Sequence, residues 1–204
     1  MEDKIQKVEK WLGLGSVNIF GRPFAGKDTQ GSILAKLLEG ELIAGGDILR
    51  SYHDQKLIQK IMSTGDLFPT ELYMSIVLPF FSHVKLKNKP LFLSAVGRLH
   101  GEEEIIMQST TDSKHPIKAV VLLHLTEDEV RRRFAKSQVH NDRGKRADDT
   151  KEVLENRLDK FRNDTIPVID YYREKGLLIE VDGTLPLQQV TQKILDSLYE
   201  KSLV

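Results

Sequence analysis

The 204-residue chain contains no cysteine. Disulfides, thiolate nucleophiles and cysteine-based zinc sites are therefore excluded, and a reducing compartment is compatible with it. Net charge is missing too, since 30 Lys and Arg offset 30 Asp and Glu. A general nucleic-acid binder carries a basic excess, so no nucleic-acid partner is expected. The longest apolar runs, "IVLPFF" and "AVVLLHL", are far too short to span a bilayer, and no membrane partner is expected. The start, "MEDKIQKVEKW", is charged and has no apolar centre, so it does not read as a signal peptide, and the expected address is the cytoplasm. The six histidines form no H-x-x-x-H pair, which argues against a structural metal. The single tryptophan, Trp11, reads as a packing residue ahead of the first strand.

What is present is an alternation of short apolar runs and helical stretches. Ser16–Phe20, Glu41–Ala44, Pro90–Val96, Ala119–Leu125 and Leu177–Val181 are nearly continuous in apolar character, as strands buried on both faces of a parallel sheet are. Between them, apolar spacings of three and four predict helices over Lys4–Leu12, Asp28–Leu38, Gly46–Gly65, Thr70–Val84, Glu102–Thr111, Glu127–Gln138, Asp149–Lys175 and Leu187–Tyr199. Strands alternating with helices imply one α/β domain with right-handed crossovers. The most polar stretch, "SQVHNDRGKRADD" (residues 137–149), has no apolar period and reads as a surface loop.

"VNIFGRPFAGKDTQGSILAKLL" is the most informative segment. Gly21, Gly26 and Lys27 form G-x-x-x-x-G-K between an expected strand and an expected helix. Such glycines let successive N–H groups turn inward on a phosphate, the helix adds its N-terminal dipole, and the lysine adds a mobile charge. A tight turn with a solvated lysine is the plain alternative. The residue after the lysine is Asp28, an acid where an anion is expected to sit, and the hydroxyl follows at Thr29.

"GKDTQ" resembles the GKGTQ loop of the adenylate kinase family of nucleoside monophosphate kinases, departing only at Asp28. "GGDILRS" (Gly45–Ser51), "IMSTGDLFPTEL" (Ile61–Leu72), "LFLSAVGR" (Leu91–Arg98), "RADD…RLDKF…DTIPVIDYY" (Arg146–Tyr172) and "VDGTLPL" (Val181–Leu187) follow the family's motifs in order. The resemblance covers roughly residues 15 to 200. It implies a five-stranded parallel sheet flanked by helices, a helical acceptor-binding insert at about 45–75 and a short lid at about 137–149. It also implies magnesium and ATP as co-substrate, a monomer, and transfer of a phosphoryl group from ATP to a nucleoside monophosphate. AMP is the expected acceptor, with GMP or dGMP as the alternative, or a catalytically weak nucleotide-binding protein.

Residue by residue, the resemblance assigns Gly21, Phe24, Ala25, Gly26, Lys27, Asp28 and Thr29 to the donor phosphates, and Arg133 and Leu185 to the donor adenine. Gly45, Arg50, Phe68, Arg98 and Glu102 fall to the acceptor. Lys27, Arg98, Arg146 and Arg157 are the expected catalytic cations, since phosphoryl transfer asks mainly for alignment and charge neutralisation. Arginine suits both tasks because its fork meets phosphate oxygens in pairs. Three departures stand out. The family's aspartate at the end of the third strand is Ser94, its extra lid arginine is Ser137, and its base-reading glutamine is Glu102. We expect Asp28 to take over the missing carboxylate's hold on magnesium through water. Because a carboxylate only accepts hydrogen bonds, Glu102 would suit guanine's two donors if it reads the base, whereas Glu102–Glu104 as a helix start would suit the dipole.

Overall fold

The computed structural model describes residues 2–81, 86, 88–140 and 150–203, with the backbone alone at His140. The strands are β1 (Ser16–Gly21), β2 (Glu41–Ala44), β3 (Leu91–Ser94), β4 (Ile117–His124) and β5 (Leu178–Asp182). They form one parallel sheet in the order β2-β3-β1-β4-β5. Helices α1 (Glu2–Leu12), α2 (Lys27–Leu37), α3 (Gly45–Ser51), α4 (Gln55–Met62), α5 (Thr70–Phe81), α6 (Glu102–Asp112), α7 (Glu127–His140), α8 (Lys151–Lys160), α9 (Ile166–Glu174) and α10 (Leu187–Lys201) flank it. All five expected strands are present.

The sheet's period of two explains its continuous apolar strands. Val17 and Ile19 of β1, with Ala119, Val121 and Leu123 of β4, face the core shared with α1, α2 and α10. Phe20 of β1, with Val120 and Leu122 of β4, faces the second core beneath α3, α5, α6 and α9. Both faces are covered, so neither needs polar residues. Asn18 is a buried polar exception in the middle of β1. Its amide donates to Val96 O at 2.7 Å and its oxygen accepts from Val96 N at 3.4 Å. A strand residue thereby pins the connection after β3.

Two expected helices are broken. Gly46–Gly65 is α3 and α4, with the break at residues 52–54, where the Asp54 carboxylate accepts from Leu57 N at 3.1 Å and starts a new helix. From Thr150, whose hydroxyl accepts from Val153 N at 3.3 Å, the second runs as α8, then a π-helical turn over Phe161–Thr165, then α9. Pro167 supplies no N–H and crowds the carbonyl one turn back, and the wider turn accommodates it. The expected insert at about 45–75 corresponds to α3, α4 and the start of α5. Of the expected lid at about 137–149, residues 137–140 close α7 and the remainder, with Arg143, Lys145, Arg146, Asp148 and Asp149, lies outside the described residues.

Candidate active site

Strand order places the site. β1 lies between β3 and β4, so the chain leaves it toward one side and later passes to the other, and connections at the carboxyl ends diverge to leave a crevice. A cavity of about 190 Å³ opens there. The loop 22–26 follows β1, Ala95–Gly101 follows β3, and α8 with its π turn closes the far wall.

The glycine loop is held in conformations other residues resist. Gly26, the residue before α2, has φ +87 with nothing near its missing Cβ, so the backbone angle and not space calls for glycine. Phe24 adopts φ +63 despite its side chain. Its ring meets Phe134 edge-on at 5.7 Å, and its carbonyl accepts from Arg133 Nη1 at 3.1 Å. Lys27 Nζ donates to Arg22 O at 3.0 Å, folded back over the loop. Thr29 is exposed, whereas Gln30 is buried. The Gln30 amide donates to Leu187 O at 3.1 Å and its oxygen accepts from the Thr191 hydroxyl at 2.8 Å, which ties α2 to α10.

Asp28 meets the first of the three departures directly. Ser94, at the end of β3, donates its hydroxyl to Asp28 Oδ1 at 2.5 Å. Both residues line the cavity with Lys27. Two positions 66 apart in sequence thus share one hydrogen bond at its edge.

Arg98 is set by three elements. Its N–H, and that of Leu99, donate to Glu102 Oε2 at 2.9 and 3.0 Å, and its carbonyl accepts from the Thr165 hydroxyl at 3.2 Å. Tyr73 of α5 adds an acceptor for Gly97 N at 3.3 Å, and burial pushes its phenol up to about 12, so it stays neutral. Ala95 has φ +50, in the region where a Cβ is strained. Arg98 lines the cavity and keeps solvent exposure there, and desolvation by its surroundings pulls its pKa below the usual guanidinium value, with nearby Arg157 adding to the fall. Lys27, Arg50, Arg98, Arg157 and Lys160 all line this cavity, against the carboxylates of Asp28 and Asp66. Arg50 Nη2 rests 2.6 Å from Asp47 Oδ1 in the same helix.

Glu102 is not a solvated helix start. It and Glu103 are both 3% exposed. Burial raises the Glu102 pKa, and the N–H groups of Leu99 and Arg98 oppose the rise. Glu103 Oε2 accepts from Gly101 N at 2.7 Å. These acids close the turn that carries Arg98.

The other side of the loop is held by Arg133. Arg133 Nη2 donates to Gly183 O at 2.7 Å, and Glu129 Oε1 braces Arg133 Nε at 2.7 Å. Phe24, Phe134 and Leu185 pack at the edge of the core beside it. Gly45 and Phe68 line the cavity, where a Cβ on Gly45 would stand 3.1 Å from Tyr73 Oη and Phe68 is buried. Ser137 gives its hydroxyl to Phe134 O at 2.8 Å. Lys160, Tyr73 and Thr165 were not singled out by sequence reasoning. The motif run Arg146–Tyr172 contains both Lys160 and Thr165, and no motif contains Tyr73.

The model of the adenylate kinase family matches residues 19–177. An adenylate kinase of Chlamydia trachomatis (serovar D) is 33% identical, over 88% of this chain and 88% of the relative. One from Thermobifida fusca is 30% identical, over 91% and 99%, and one from Dehalococcoides mccartyi (strain 195) is 27% identical, over 90% and 97%. A parallel sheet in this strand order, a glycine loop after its central strand and matched cations opposite it agree with these similarities: the chain belongs to the adenylate kinase family of nucleoside monophosphate kinases.

Proposed function

We propose that the protein transfers the terminal phosphoryl group of ATP to AMP, giving two ADP. The observation that carries this reading is the single cavity onto which the glycine loop, Arg50, Arg98 and Arg157 converge from four separate elements. A protein that only bound ATP would have no use for cations on the opposite wall. The loop and Lys27 hold the donor phosphates, and Arg133, Phe24 and Leu185 border the donor base. Arg50 and Arg98 hold the acceptor phosphate, whose own oxygen attacks the transferred phosphorus in line. Lys27, Arg98 and Arg157 offset the charge shared between donor and acceptor, and Arg146 joins them in this reading. No side chain acts as nucleophile.

AMP is favoured over GMP by the similarity to adenylate kinases, and the state of Glu102 removes one argument for guanine. Guanine's two donors would need a carboxylate free at the base edge, and Glu102 Oε2 is taken by two backbone N–H groups.

Magnesium is the metal the family implies. Among the described residues no cluster of three or more His, Cys, Asp or Glu side chains is present, so a caged ion is not what these residues offer. Asp28 fits a lighter role. Its Oδ1 is held by Ser94, it is exposed at the start of α2, and an anion beside bound phosphates is tolerated when a cation lies between them. In this reading Asp28 holds a metal-bound water, and the ion supplies charge neutralisation on the phosphates. The protein acts as a cytoplasmic monomer. The family match supports nucleotides as its partners, and among the described residues no helix is long and apolar enough to cross a membrane.

A coupled assay with ATP, magnesium and each of AMP, GMP, CMP and UMP tests the function. ADP formation with AMP as the preferred acceptor is expected. Absence of turnover with all four would end the proposal.

A further inference from the structure

The connection between α4 and α5 is fastened to α8 by side chains that the reaction above does not use. Asn156 Nδ2 donates to Thr64 O at 2.7 Å and to Asp66 Oδ1 at 3.0 Å. One turn further, Lys160 Nζ stands 3.7 Å from the same Asp66 oxygen. Between Thr64 and Asp66, Gly65 adopts φ +80 so close to the helix that a Cβ would lie 2.8 Å from Val153 O and 3.2 Å from Arg157 Cγ. Residues 153, 156, 157 and 160 fall on one face of α8 by helical spacing. The connection then runs into Leu67 and Phe68, which line the cavity, and Arg157 lines it from the same helix face.

We infer that Asn156 is a positioning residue for the acceptor. It locks residues 64–68, one wall of the acceptor pocket, to the helix that presents Arg157, so that wall and cation are set as one piece. This rests on the acceptor site proposed above. One amide serves because it has two N–H groups, here given to a carbonyl and to a carboxylate, and the bond to the charged acceptor is the stronger. The glycine permits the approach and the amide holds it. Nothing in the contact reaches the donor loop, so its loss affects one substrate.

The test compares Asn156→Ala, Asn156→Asp and the double variant N156D/D66N. Alanine suits a helix, so the first variant keeps α8. It should raise KM for AMP about 10-fold, the scale of one hydrogen bond to a charged group, and leave KM for ATP within about twofold. Asn156→Asp sets two carboxylates together and should raise it further. The double variant reverses donor and acceptor at the Asp66 bond alone, leaves Thr64 O without its donor, and should recover part of the loss over Asn156→Asp. Hydrogen exchange on the nucleotide-free protein supplies a readout apart from turnover. Amides at 64–67 should exchange about 10-fold faster in Asn156→Ala, with β1 and β4 unchanged. Unchanged exchange at 64–67, equal increases in both KM values, or faster exchange with an unchanged KM for AMP would each overturn the inference. If AMP were not a substrate, the proposed function would fall, and the exchange rates would still decide whether Asn156 fastens this wall.

Discussion

Single side chains at the crevice have separable tasks. Lys27→Ala removes a charge from the phosphate loop without touching the core, so turnover should fall at least ~10²-fold while the unfolding midpoint stays put. Near-normal turnover would take the loop out of the mechanism. Asp28→Gly frees Ser94 from its bond at 2.5 Å and removes the carboxylate from the phosphate site. The magnesium concentration for half-maximal rate should rise, and an identical titration would show that Asp28 holds no metal-bound water. Glu102 leads to a prediction in pH. Burial raises its carboxyl pKa above the ordinary value, so the folded chain binds this proton more readily than the unfolded one. Its contribution is then greatest below the unfolded value of about 4.3 and declines as pH rises through the raised folded value. Glu102→Gln keeps an acceptor for Arg98 and Leu99 N–H and removes the titration. Urea midpoints should fall less with rising pH in the variant than in the wild type, and the ratio of AMP to GMP activity should not change. A shift of that ratio would return Glu102 to reading the base.

At the scale of elements, α7 joins the glycine loop to the turn after β5. Its first turn holds Glu129, which pairs with Arg132 and Arg133, and Arg133 reaches Phe24 O and Gly183 O. The Arg132 and Arg133 side chains hold the Glu129 carboxyl down at about 2. A carboxyl lowered on folding stabilises above its unfolded pKa and loses that contribution as pH falls toward the folded one. Glu129→Gln should therefore be less stable than the wild type at neutral pH, with the gap closing between about pH 4.3 and pH 2. A gap that stays constant with pH would show that the pairing does not stabilise the folded chain. The same helix is tied to α8 by the Arg131–Glu155 fork, both bonds at 2.8 Å, and to the π-helical turn by Arg162 with Glu127. These helices flank residues 141–149.

For the whole molecule, substrate binding and stability are linked. A ligand present at about 100 times its Kd adds about 2.7 kcal/mol to the folded state, and each kcal/mol moves the midpoint of a chain this size by about 2–4 °C. AMP and a non-hydrolysable ATP analogue should each raise the thermal midpoint, and the two together should raise it further than either. GMP in place of AMP should leave only the donor's increment. An equal response to GMP would remove the base preference.

How much was legible beforehand depends on the range of each signal. The five strands, the glycine loop and the α/β class follow from local patterns: apolar runs, helical spacing, and glycines before a lysine. The broken helices were hidden because apolar spacing continues across residues 52–54 and through Phe161–Thr165, while an Asp54 cap and a proline-compatible turn decide the backbone. By itself the sequence determined the sheet, the glycine loop after its central strand and the family. Only the tertiary structure decided that Ser94 meets Asp28, that Glu102 serves the Arg98 turn, and that Asn156 bonds across to Thr64 and Asp66. The physical reason is that local propensity sets an element's type, whereas a side chain's partner depends on which strands and helices lie side by side.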